Sequence, residues 1–455
     1  MLTGLLIVRA KLASPSAAEV NRLLSESRHK ELQDLREVYS ADQSAINFIN
    51  SLSGDFEMQR QRWRAALNHY SQITSGSPPE IIHAQSSSAH CLLNMGLAAE
   101  SERLLRIVLA QAPQHHPAQR DLANILLASG RSYEAVPHLE ELIRQGKFEP
   151  IDLVVCASPE LFQLAGERFA QTCLSAIPED PRPMLGLARS ALQKKQFEFA
   201  RLWLSDIVSK FPAVLEAQTR LGQLHLELGE FHQLKAWHEQ LPESSVDFAG
   251  IWFVKAQIFQ HLGQREAASR CLAETLTRFP DHVSANYQMT TTLKNMQRVD
   301  DSKHFAERAQ LLARIELLAN DLRDAFDTRM CQEMVNSMAR LDRYSEAAAW
   351  CEIAKRNLST PTWFENFLRQ CNNRKLPDIQ RKDHPAVAGV LERLKQLPLP
   401  PFDWASLKDE QPQSSPDAWP ISFTEEAESV GLNFIYRNGS ARDSTREYLF
   451  EFNGG

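Results

Sequence analysis

The chain has 455 residues, more than one ordinary hydrophobic core supports, so several domains or an extended array are expected. Its 43% hydrophobic and 24% charged residues are the composition of a soluble protein, and no run of about 18 apolar residues exists to form a transmembrane helix. The formal charge of -7 argues against nucleic acid as the main partner, whose footprint is normally basic, although a local basic patch is compatible with it.

Taken in chain order, Leu5-Leu6-Ile7-Val8 is too short for a secretory core and has no basic residues before it. It reads as a frayed or packed terminus, or as the tail of a longer apolar segment. Ser14-Pro15 followed by Val20, Leu23, Leu24, Leu35 and Val38 predicts one polar-rich amphipathic helix to about residue 40, a spacer or cap within residues 1–47. A degenerate first unit is expected over 48–81, where Trp63, Ala66 and Tyr70 supply a second-helix face before Pro78. Clear units begin near 82, 116, 181, 215, 249, 283 and 328, within an array that runs to 373. The phase slips by three residues between 147 and 180, and 11 extra residues before 328 predict a longer or additional helix around 304–325. Residues 374–420 read as a helix (385–397) and a proline-rich linker that Trp404 and Trp419 pin to a neighbouring surface.

The units share a spacing. Gly96 and Gly130 lie 34 residues apart, as do Gly229 and Gly263. A small residue stands seven before each glycine: Ala89, Ala123, Gly222 and Ala256. In the best unit Trp252, Ala256, Phe259, Gly263, Ala268, Leu272 and Pro280 occupy positions 4, 8, 11, 15, 20, 24 and 32. The unit at 181 shows Ala188 and Ala200 in the corresponding places, with Lys195 where glycine would stand. Small residues at positions 8 and 20 let two helices approach closely; glycine at 15 reaches left-handed backbone angles; proline at 32 stops the second helix.

This pattern resembles the tetratricopeptide repeat, whose length is 34. The resemblance implies an all-α, right-handed superhelical solenoid with a long concave surface, hence a non-enzymatic scaffold binding a protein or peptide. In such arrays positions 2, 5, 9, 12 and 13 face the groove. They correspond here to Arg120 and Asn124, Arg182 and Arg189, Gln223, then Phe253, Gln257 and His261, and Tyr287, Lys294 and Asn295. Arginine and asparagine there loosely resemble the carboxylate clamp of some relatives, without its full set in register. Trp252, Phe259, Leu272 and Leu139 are expected in the core. Substituting Arg182 is expected to affect binding and leave stability almost unchanged.

No phosphate loop, H-E-x-x-H or G-x-S-x-G occurs, so neither an enzyme nor a cofactor is expected. The seven cysteines (Cys91, Cys156, Cys173, Cys271, Cys331, Cys351 and Cys371) show no zinc spacing and read as reduced, structural thiols. His115-His116 reads as an exposed turn rather than a metal site, and His83 with His90 as a surface pair on one helix face. Residues 421–455 differ in kind. Phe423, Gly431-Leu432, Phe434, Asn438-Gly439, Tyr448-Leu449, Glu451 and Gly454-Gly455 resemble the opening of FG-GAP/VCBS-type propellers that end in an ASPIC/UnbV module. That resemblance implies a short irregular or β stub. It also implies a second reading, in which the array is the accessory part of a larger exported protein whose propeller lies beyond this chain. Compartment, partner identity and oligomeric state are left open.

Overall fold

The computed structural model describes residues 16–26, 29–159, 167–324, 327–357, 362–374 and 385–408. The chain divides into two compact units, Met1–Asp409 and Glu410–Gly455. The second unit, with Trp419 and the propeller-like stretch at 421–455, lies outside the described residues, as does the apolar run at 5–8. Among the described residues the regular elements are all helical, and no helix is long and apolar enough to cross a membrane.

The N-terminal segment folds as two helices, α1 (Ala17–Ser25) and α2 (His29–Val38), where the sequence predicts one. The first stops at Glu26, whose N–H turns back to the carbonyls of Arg22 and Leu24. Val20, Leu23 and Leu24 then pack with Ile49. Helical hairpins follow: α3 (Gln43–Gln59) with α4 (Trp63–Tyr70), α5 (Pro78–Asn94) with α6 (Ala98–Gln111), and α7 (His116–Ala128) with α8 (Ser132–Arg144). Two short helices interrupt the pairing, α9 (Pro150–Ala157) and α10 (Glu167–Ala176). It resumes with α11 (Pro181–Gln193) and α12 (Phe197–Lys210), then α13 (Leu215–Glu227) and α14 (Phe231–Glu239). The next pairs are α15 (Ala249–His261) with α16 (Arg265–Arg278), α17 (Val283–Asn295) with α18 (Val299–Asp324), and α19 (Thr328–Arg340) with α20 (Tyr344–Asn357). The helices α21 (Thr362–Arg374) and α22 (Pro385–Lys395) complete the array.

One backbone device closes all eight hairpins. Gly96, Gly130, Gly229 and Gly263 have φ of 82, 72, 66 and 69°, and Gln61, Lys195, Gln297 and Asp342 adopt 57, 55, 61 and 59° without being glycine. The left-handed residue lets the next N–H reach the carbonyl five residues back. Arg131 meets Leu126 at 2.8 Å in this way, Gln196 meets Ala191 at 2.8 Å, and Arg298 meets Leu293 at 2.9 Å. Carbonyls that a helix end leaves unpaired are satisfied by this bond. Close approach of the paired helices rests on the small residues: Ala89, Ala123, Ala188, Ala200, Ala256 and Ala268 are fully buried. A Cβ on Gly222 would stand 2.6 Å from the Trp237 ring.

The irregular stretch around 147–180 redirects the chain. Helix α10 packs on α11 and on the α5–α6 turn, where a Cβ at Gly96 would meet Thr172 O at 2.5 Å. The next stack therefore starts on the side of the first, and at Gly186 a Cβ would lie 2.3 Å from Ala128 O. Helix α9 packs against α8, α18 and α20. One core cluster accordingly joins Leu122, Leu139 and Leu153 to Ile315, Met334 and Trp350. The extra residues near 304–325 prolong α18 into a single 26-residue helix, whose last turns carry Ile315, Leu318 and Leu322 into that cluster. Arg343 locks the junction by pairing with Glu346 (2.9 Å) and donating to Cys156 O (3.0 Å).

After α22, which lies on α16, the chain continues as a strap. Arg270 donates to Leu397 O at 2.7 Å. Phe402 sits with ring centroids 4.3 Å from Phe259 and 4.9 Å from His238, and Trp404 lies 5.8 Å from His238.

Candidate functional site

The described hairpins leave three adjoining hollows between them. The largest, about 390 Å³, lies between α6, α8, α11 and α13, with Glu102, Arg131, Arg182 and Leu185 in its wall. A second, about 220 Å³, shares Arg131, Glu134, Glu216 and Phe248 with it and extends to α15 and α17. A third, about 20 Å³, continues past Tyr133 and Phe279 towards Cys156, Ser158 and Arg343.

The wall shared by the first two hollows is a dense ionic network. Glu102 is 5% exposed and accepts from three arginines: Arg131 (3.0 Å to each oxygen), Arg182 (2.7 Å) and Arg106 (2.8 Å). Burial alone would raise its pKa, but Arg131, Arg182 and Arg106 outweigh burial and hold the carboxyl at about 2. Arg131 also grips Glu134 with two bonds of 2.8 and 2.7 Å, and Arg182 reaches Asp180 at 3.1 Å. These ties bolt α6, α8 and α11 together and give the groove wall a fixed charge pattern. Charges held by neighbours need no ordering when a ligand arrives.

The floor of the second hollow is aromatic. Tyr133 meets Phe279 edge-on at 4.4 Å and faces His282 at 6.1 Å, and Phe253 lies 4.4 Å from His282. His282 is itself the N-cap of α17, its Nδ1 accepting from the N–H of Ala285 at 3.3 Å. Helix α15 has Phe248 at its N-cap, which supplies no side-chain cap.

The residues expected to face the groove divide into four sets. Arg182 and Gln223 line the hollows. Arg120 and Arg189 are engaged elsewhere. Arg120 pairs with Asp152 (2.5 and 2.8 Å) and ties α7 to the start of α9. Arg189, 5% exposed, donates to Gly130 O, Ser132 Oγ and Pro159 O at 2.8, 2.5 and 2.8 Å. Phe253 is buried in the core, and Gln257 is half-buried. Asn124, His261, Tyr287, Lys294 and Asn295 are exposed and line none of the three hollows. The structure brings Arg182 against buried Glu102, so the expectation that its loss would spare stability is corrected: it closes an ion pair between hairpins. Sequence reasoning missed Tyr133, Phe248 and Phe279. The last two precede the next first helix by one and four residues, at the unit's end, where only structural punctuation was sought.

The other expectations have plain structural answers. Phe259, Leu272 and Leu139 are core, and Trp252 packs partly buried against the same cluster with its Nε1 donating to Val246 O at 2.7 Å. His115 caps α7, accepting from the N–H of Ala118 at 3.3 Å. His83 contacts Asp55 at 3.4 Å and His90 contacts Asp121 at 2.8 Å, and each carboxylate raises the imidazole pKa. All seven cysteines are buried free thiols. Burial pushes Cys91, Cys173 and Cys271 up to about 12 and Cys331 to about 11, away from the range of a nucleophile.

With this geometry in place, comparison with known proteins gives the following. No curated protein matches the chain. Among solved structures it is similar to a tetratricopeptide repeat protein from Parabacteroides merdae at 10% identity, covering 61% of this chain and 96% of that one, with a TM-score of 0.25. It is also similar to the Cut9–Hcn1 hetero-tetramer of the APC/C (11%, 82% and 88%, TM-score 0.32) and to yeast Tom70 (10%, 77% and 100%, TM-score 0.27). At these values the architecture rests on the hairpins themselves. A family model described as tetratricopeptide repeat matches residues 88–150, from the second half of α5 through α8, and the described residues form an all-α array of helical hairpins.

Proposed function

We propose that this chain is a non-catalytic interaction scaffold that holds a segment of a protein or peptide in the groove along the N-terminal ends of α8, α11, α13, α15 and α17. The observation that carries this reading is the pair of joined hollows of about 390 and 220 Å³, with an aromatic floor and charges fixed by neighbouring hairpins. Such a surface offers apolar anchoring and polar orientation together, as recognition of an extended peptide requires. The buried, raised-pKa thiols and the structurally engaged histidines add support for a binding role over a chemical one.

The test is an affinity capture with three baits: the whole chain, a Gln223→Arg/Asp247→Arg variant, and a Phe199→Arg/Leu202→Arg variant. The last pair is exposed on α12 (63% and 66%) and lines none of the three hollows. Partners captured by the whole chain and the α12 variant but lost from the groove variant are the expected result. Partners lost only from the α12 variant would overturn the groove reading.

A further inference from the structure

We propose that the seam between α14 and α16 is a second binding site, for a partner segment of the form Pro-Pro-Phe-x-Trp, and that the strap at 397–407 occupies it in cis as a displaceable internal ligand. The seam residues His238, Phe259, Leu262 and Arg270 line none of the three hollows, so the proposal stands apart from the groove-binding reading.

The seam is written into the repeat. Nine residues after the turn position, Leu105, Leu139, Leu204 and Leu272 are fully buried and seal their hairpins. In this unit the same place holds His238, and α14 has 9 residues where α12 and α16 have 14. His238 is half-buried, and its Nδ1 has no hydrogen-bond partner. What covers it is the strap. Phe402 lies 4.9 Å from the His238 ring, 4.3 Å from Phe259 and 5.1 Å from Trp404, which itself lies 5.8 Å from His238. Phe402 and Leu262 each pack against both of the core clusters that meet here, so the aromatic anchor fills a gap between hairpins.

The strap fits this seam but holds it loosely. Its sequence is Leu-Pro-Leu-Pro-Pro-Phe-Asp-Trp-Ala-Ser-Leu, in which Leu397, Phe402, Trp404 and Leu407 are partly buried and the residues between them are exposed. Its one described hydrogen bond to the helices beneath runs from Arg270 Nη1 to Leu397 O, at 2.7 Å. The Nε of Arg270, like Nδ1 of His238, is buried without a partner. Unpaired buried polar atoms are costly, so a segment that repeats the aromatic anchors and adds groups for these two atoms binds more tightly than the strap. The prolines restrict such a segment beforehand and reduce the entropy lost on docking. Tethering gives the strap an effective concentration of about 1 mM, which a second copy of this chain does not reach at micromolar concentration. The occupant that displaces the strap is therefore a different protein, with better-paired contacts around the same two aromatic residues.

The test uses a fluorescein-labelled peptide of residues 396–408, read by anisotropy against the whole chain, Trp404→Ala and Phe402→Ala/Trp404→Ala, with circular dichroism reporting the fold. If the free segment binds with a Kd of about 100 µM or less, the tether weakens its apparent binding to the whole chain about tenfold or more. The double variant is thus expected to bind the peptide at least about tenfold more tightly than the whole chain, with Trp404→Ala in between. A peptide with alanine for both aromatic residues is expected to bind none of them. Arg270→Gln added to the double variant is expected to weaken the peptide about tenfold, as for loss of a hydrogen bond to a charged group. Equal binding by the whole chain and the double variant, no binding by a folded double variant, or equal binding of the alanine peptide would overturn the site. If the double variant loses its helicity, Trp404→Ala alone decides, and affinity equal to that of the whole chain overturns the site. Light scattering at micromolar concentration is expected to show no dimer; a dimer lost in the double variant would assign the seam to a second copy and overturn the assignment to a different protein.

Discussion

Lys195 and Gln297 occupy the left-handed position of their hairpin turns with φ of 55 and 61°, where four other turns have glycine. An L-residue in that conformation costs about 1–2 kcal/mol, and glycine avoids this at about 0.5–1 kcal/mol of extra unfolded-state freedom. Both side chains are exposed, so replacing them removes no packing. Lys195→Gly and Gln297→Gly are each expected to stabilise the protein by about 0.5–1 kcal/mol, and the double variant by about 1–2 kcal/mol because the turns lie in separate hairpins. Urea unfolding followed by circular dichroism gives the midpoint shift. Amide exchange at the ends of α11 and α17 shows whether the gain is local, which matters because arrays of repeats do not always unfold in one step. The converse exchange sharpens the argument. Gly263→Ala meets open space and should lose only the conformational term, about 1 kcal/mol, whereas Gly96→Ala adds a clash with Thr172 O at 2.5 Å and should lose distinctly more. Equal losses at Gly96 and Gly263, or no gain from either new glycine, would refute the reasoning.

Three further predictions concern the junctions between hairpins. Glu102→Gln leaves Arg131 and Arg182 without their shared carboxylate and should cost about 3 kcal/mol in chemical denaturation at neutral pH; a loss near zero would show the network to be solvent-like. Gly186→Ala improves helix propensity yet forces a methyl against Ala128 O, so a net loss of about 1–3 kcal/mol is expected, and a net gain would mean that the α7–α11 contact is looser than described. His238 has its pKa lowered to about 4 by burial and then by Lys255, from an ordinary 6.5. The folded value lies below the unfolded one, so strap docking is fully stabilised above pH 6.5 and weakens as the pH falls towards 4. The fluorescence difference between the parent chain and Trp404→Phe should shift to the red across that window, and should stop doing so in a His238→Phe background. A shift that persists there assigns the effect to another group.

The hairpins were legible because their determinants are local. Helices start at His116, Pro181, Leu215, Ala249, Val283 and Thr328, where the spacing puts unit starts, whereas the unit expected near 82 begins at Pro78 because a capping box at Ser77 and Glu80 starts α5 a turn earlier. Lys195 stands at the turn position that the spacing assigns to glycine, with φ of 55°, since spacing outweighs the missing glycine. Periodicity carries no information about what lies across a fold. Arg182 meets Glu102 from 80 residues earlier, and Arg189 meets Gly130 O from 59 residues earlier. A position number says which way such a side chain leaves its helix, and only the path through α9 and α10 decides whether solvent or another hairpin receives it.

The contact of α9 with α18 and α20 changes what kind of object the array is. An open stack has two free ends and can be shortened one unit at a time, because each unit leans only on its neighbours. Here Leu153 and Val155, near the first third of the chain, share a core with Ile315 and Trp350. Cutting the chain after α17 would not trim an end; it would strip the lid from the middle and expose an apolar face made by α8 and α9. Within the Met1–Asp409 unit, the minimal folding piece must therefore include α8 and α9 together with α18 and α20.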